Sequence, residues 1–193
     1  MPAAIERLLT ADVAREIARA YGDRPIYPEQ IVVDSPVQEA RRFPGWPGPV
    51  LVLADENQGG CSWGVPLDGS QVLVGGERTT VTYARSVEDF IAARRWDTEC
   101  VNSAFCVAAQ AAALNEESFG YLRACCRPSV TTEGWPGVRQ YRFEQLDVRV
   151  LLWSDIEQCD WLISATSEVS LKEFTAGLLT LPSLRAARWA DEA

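Results

Sequence analysis

The sequence predicts an α+β protein in which helices pack on one face of an antiparallel-rich, twisted sheet. Three observations carry that expectation. Apolar runs of strand length between residues 50 and 83 are separated by the turn pairs Asp68-Gly69 and Gly75-Gly76. Two later segments place an apolar stripe at helical spacing behind a capping serine, Ser86 in one and Ser170 in the other. The chain has 193 residues, 47% of them hydrophobic and 23% charged, which fits one globular domain, taken here as residues 1–193, with ample material for a core.

Taken in order, residues 3–21 read as a helix, with Ile5, Leu8, Leu9, Val13, Ile17 and Tyr21 at helical spacing and Gly22 as its stop. Residues 23–49 are proline-rich, with one extended piece at Gln30–Asp34, and Phe43-Pro44-Gly45-Trp46-Pro47-Gly48-Pro49 is a stiff lead-in. Strands follow at Val50–Leu53, Ser62–Leu67, Gln71–Val74 and Thr79–Tyr83. Ser86 caps the next helix, with Asp89 at its third position as an acidic capping partner and an end near Trp96. The segment Cys100–Glu117 is alanine-rich and is expected to be helical. Residues 118–127 suit helix or strand, and a loop follows. Residues 138–144, 147–153 and 159–165 read as strands, and Ser170 caps a last helix with Leu171, Phe174 and Leu178 on one face.

Composition narrows the chemistry. The net charge is −9, which disfavours nucleic acid and anionic membranes, whose phosphates need Lys and Arg; it either favours a basic partner through steering or serves solubility alone. The chain has no histidine, so Ser-His-Asp and Cys-His catalysis are excluded, whereas carboxylate chemistry is not. The six cysteines form no Cys-x-x-Cys pair, so no structural zinc is expected; most read as small buried hydrophobes, and the adjacent Cys125-Cys126 fits core packing better than the alternative of a redox site. No run of about 18 apolar residues is present, and the N-terminus lacks a basic segment followed by an apolar one. The expected location is the cytoplasm. No metal or cofactor is expected.

The stretch from Leu53 to Leu67 is the most particular wording in the chain. A strand runs into the acidic turn Asp55-Glu56-Asn57-Gln58-Gly59-Gly60, and a strand carrying Trp63 returns. The carboxylates Asp55 and Glu56 are neighbours in a tight turn and diverge, which fits turn formation better than a catalytic pair facing one bond. Gly75-Gly76-Glu77-Arg78 lacks the spacing and the lysine of a phosphate loop. A later segment repeats the theme. Residues 45–96 hold Gly45-Trp46-Pro47-Gly48, then Asp55-Glu56, Cys61-Ser62-Trp63 and Ser86; residues 134–180 hold Gly134-Trp135-Pro136-Gly137, then Asp155-Ile156-Glu157, Cys159-Asp160-Trp161 and Ser170. The order agrees and the spacing differs, so duplication and chance both stand as accounts. The loop tryptophans Trp46 and Trp135 either anchor a partner or pin their loops to the core.

The run Gly48–Trp96 resembles the SUKH superfamily, the bacterial immunity proteins grouped with the yeast Smi/Knr regulators. The resemblance rests on Glu56-Asn57-Gln58-Gly59 with Trp63-Gly64-Val65-Pro66-Leu67, the strand Val72-Leu73-Val74 and the helix Ser86-Val87-Glu88-Asp89-Phe90-Ile91. The helix ending at Tyr21-Gly22 is also similar to many bacterial members. Asp68-Gly69-Ser70-Gln71 stands where the family often has an Asp-Pro-Pro turn. The resemblance implies a SUKH-like α+β fold, no catalytic residues, and a protein-binding role, commonly neutralising a toxin. On this reading Asp55, Glu56, Asp68, Glu77, Asp155, Glu157, Trp46 and Trp135 are the expected contacts to a basic toxin domain. A histidine-free carboxylate enzyme and a regulatory scaffold without a toxin partner are the alternatives.

Overall fold

The structure, a computed structural model, describes residues 42–135 and 137–190, together with Glu6, Thr10 and the strand pairs at 24–25 and 33–34. The helix expected over residues 3–21 lies outside the described residues but for Glu6 and Thr10. The architecture is α+β with antiparallel strands, divided between two sheets rather than gathered in one. The chain forms two compact units, residues 1–98 with 132–135, and residues 99–131 with 136–193.

In the first unit, the short strands β1 (Arg24–Pro25) and β2 (Val33–Asp34) both pair with β3 (Val50–Asp55). The sheet continues through β4 (Ser62–Pro66), β5 (Val72–Gly75) and β6 (Thr80–Ala84), every pairing antiparallel. The near-continuous apolar sequence Val50-Leu51-Val52-Leu53-Ala54 is explained by burial on both faces. One face packs Leu51, Leu53, Trp63, Val65 and Val74 against Val87, Phe90 and Ile91 of helix α1 (Val87–Val101). The other holds Val50, Val52 and Leu73 under Phe43, with half-buried Trp46 against them. Ser86 caps α1, its Oγ accepting from the Asp89 N–H at 3.1 Å. The helix runs past the expected end at Trp96 to Val101. Arg94 is buried on it, its guanidinium 4.8 Å from the Trp63 ring centre, so the cation lies over an aromatic face.

Residues 132–135, with the short strand β9 (Thr132–Glu133; β8 is given below), complete this unit. Gly134 has φ +84, and a side chain there would run into Val81 at 2.9 Å and press on Val74, so only glycine fits against β5 and β6.

The second unit is a sheet in the order β13–β7–β12–β11–β10–β8, all antiparallel. Its strands are β7 (Phe105–Ala112), β8 (Arg127–Pro128), β10 (Arg139–Gln145), β11 (Val148–Ser154), β12 (Gln158–Ala165) and β13 (Arg188–Ala190). Three helices, α2 (Glu116–Cys125), α3 (Glu168–Leu178) and α4 (Pro182–Arg185), cover one face. Leu122, Phe174, Leu178, Leu181 and Leu184 pack there against Val107, Val150, Leu152, Trp161 and Ile163.

Two further expectations need correction. The alanine-rich segment 100–117 holds strand β7 where helix was expected: Val107, Ala109 and Ala111 alternate inward, and β7 is paired on both sides. Alanine's helix preference is a fraction of about 1 kcal/mol per residue, which two ladders of backbone bonds exceed. Ser170 does not cap the helix that carries Leu171, Phe174 and Leu178. Ser167 does, accepting from the Ser170 N–H at 3.1 Å, so Ser170 and Glu173 lie within α3. Segments 45–96 and 134–180 both contain a hairpin followed by a helix, but β5 and β6 intervene in the first while α3 follows β12 directly in the second. Among the described residues, no helix is long and apolar enough to cross a membrane.

Candidate functional site

One end of the first sheet gathers Asp55, Glu56 and Glu77 around a polar cavity of about 580 Å3. The strand register builds it: Asp55 pairs with Ser62, Ser62 with Gly75, and Gly75 with Thr80, a row across four strands. Arg42 joins from the preceding segment. That approach depends on two glycines, because a side chain at Gly75 would collide with the Arg42 carbonyl, and one at Gly64 would press on Phe43 at 2.7 Å. Arg42 then reaches Asp55 with Nε at 3.1 Å and Nη2 at 3.3 Å, a two-pronged contact. The Ser62 hydroxyl donates to the same carboxylate at 2.6 Å.

Glu56 behaves differently from its neighbour. It is buried, and its Oε2 accepts from the N–H groups of Gln58 at 2.9 Å and Gly60 at 3.0 Å. The Glu56 N–H in turn donates to the Cys61 carbonyl at 2.9 Å, closing the turn. The carboxylate thus takes the place of backbone acceptors that an irregular turn cannot supply. Cys61 lies beneath. Burial, and secondly the Glu56 and Asp55 charges, push its thiol up to about 12, so it stays protonated and is a poor nucleophile near neutrality. The exposed part of this end is Asn57 to Gly60 and, from the neighbouring turn, Glu77, Arg78 and Thr79.

The other expected residues lie elsewhere. Asp68 is exposed beyond the far end of β4 from Asp55. Trp46 packs on the Phe43 cluster and pins its loop. Trp135 is 46% exposed on the segment that completes the first unit. Asp155 and Glu157 are exposed on the β11–β12 turn of the second unit, on either side of Ile156, which is 82% exposed. Arg42 and Ser62 were not among the expected residues. Arg42 meets Asp55 across 13 positions of chain, a separation that no local pattern reports.

No protein-family model, no curated protein and no solved structure matches this chain.

Proposed function

We propose that the chain is a non-catalytic protein-binding module of SUKH type, a cytoplasmic immunity protein that meets a basic toxin domain and masks its active site. The observation that carries the reading is the braced turn cluster at residues 55–62 and 75–77. Its carboxylates and backbone are fixed by internal hydrogen bonds, and Glu77 stands exposed beside them. A surface held in one shape loses little entropy on binding. A net charge of −9 steers a cationic partner toward it. The carboxylate-enzyme reading draws on the same cavity, but Asp55 is already engaged by Arg42 and Ser62, and Glu56 by its own turn.

The test is capture of the neighbouring gene product by the tagged protein at low and high salt, with growth assays under expression of that product. Glu77→Lys should slow association about tenfold, with the difference shrinking as salt rises. Recovery of no partner at low salt, with no protection of growth, would sink the proposal.

A further inference from the structure

The second unit has a concave surface that the proposal above leaves unused. A cavity of about 380 Å3 opens among α2, the β10–β11 turn and α3, lined by Tyr121, Cys125, Leu146, Asp147, Glu173 and Phe174. Its floor is apolar, since Phe174 is buried and the adjoining Val148 is too. Its rim is acidic: Asp147 and Glu173 are both exposed, and among the described residues neither has a cationic partner. The nearest cations in sequence are taken, Lys172 by Glu168 and Arg149 by Glu99.

Leu146 stands over this cavity. Gln145 pairs with Val148, so Leu146 and Asp147 alone make the turn. Leu146 has φ 43, and no other non-glycine residue described has a positive φ. Its side chain is fully exposed, at 101%. Glycine or asparagine holds such a backbone with less strain, and an exposed leucine gains no burial in return. A non-glycine residue held at positive φ beside a cavity is the kind of backbone outlier that clusters at ligand-binding sites.

We propose that this knob and cavity form a docking site for a partner protein that offers an Arg or Lys side chain beside an apolar one. The aliphatic stem would lie on Phe174 and the Tyr121 ring, as long cationic side chains do on apolar surfaces, with the charged head between Asp147 and Glu173. The partner's apolar neighbour would cover Leu146. A second copy of this chain is the poorer occupant, because a symmetric contact would bring two acidic rims together. The inference shares with the proposed function the premise of protein recognition, but it concerns a different surface.

The experiment is amide NMR of the whole protein titrated with acetyl-Leu-Arg-Leu-amide, and separately with acetyl-Leu-Glu-Leu-amide. The arginine peptide should move the amides of Tyr121, Cys125, residues 145–148, Ser170 and Glu173, with millimolar affinity. Leu146→Gly should weaken it about threefold, and Asp147→Asn with Glu173→Gln about fivefold, with amide dispersion retained. Equal shifts with the glutamate peptide, shifts at residues 55–62 instead, or no response to the variants would overturn the proposal. Movement of the same amides on dilution of the protein alone would also overturn it and name a second copy as occupant. Capture of a partner that depends on Glu77 tests the first sheet's surface alone, so the two proposals can fail separately.

Discussion

Glu56 shows how a residue suited to recognition can be committed to the fold instead. Its charge-assisted bonds to Gln58 and Gly60 hold the turn that follows Asp55. Glu56→Gln should lower stability by about 1–2 kcal/mol in urea unfolding, whereas exposed Glu77→Gln should change it by less than about 0.5 kcal/mol. Leu146 is the opposite case. Leu146→Gly removes the strain of φ 43 and should raise stability by about 1 kcal/mol in the same measurement. A loss of stability there would mean that the leucine serves the fold. Of the candidate site, Asp55, Glu56 and Glu77 were legible because acidic residues in Gly-rich turns end up at strand ends. Arg42 was not, because its position follows from Gly75 admitting a distant segment.

At the level of elements, strands bounded by turn residues were legible to within two residues, from Val50 to Ala84 and again from Arg139 to Ala165. Those runs combine β-branched residues with clear punctuation. Strand β7 was not legible, because Phe105–Ala112 has helix-favouring alanine where pairing with β12 and β13 decides the outcome. The α3 boundary was displaced because Ser167 and Ser170 are both plausible caps, and only backbone geometry (φ −145, ψ 154 at Ser167) separates them. Ser167→Ala should therefore cost about 1 kcal/mol, and Ser170→Ala less than half of that, in thermal or urea unfolding. The reverse ranking would restore Ser170 as the cap.

For the whole molecule, buried thiols set a limit at high pH. The thiols of Cys61, Cys126 and Cys159 are pushed up to about 12, in each case by burial first. In the unfolded chain they ionise near about 8.5, so between there and 12 the unfolded state sheds protons that the folded state keeps. Stability is unaffected by these groups below about pH 8 and should fall progressively as pH rises through that window. Urea unfolding at pH 8, 9 and 10 measures the trend, and a flat profile would refute it. None of the six cysteines is in a disulfide, and Cys106 and Cys125 alone are half-exposed. Those two should react promptly with a disulfide reagent such as DTNB, with the rest reacting only on unfolding.

Gly134 has a consequence for how the protein is made. The first unit takes residues 132–135 from far along the chain, and Gly134 lies against Val74 and Val81. At about 5–20 residues per second, the ribosome delivers that segment seconds after Ala84, the last residue of the first sheet, has been joined. During that interval the first unit lacks its final segment, and Val74, buried in the finished unit, waits without the backbone of Gly134 against it. Vectorial synthesis therefore cannot finish this unit before starting the next, and a chain truncated after residue 131 would leave a folding defect at the surface of β5 and β6.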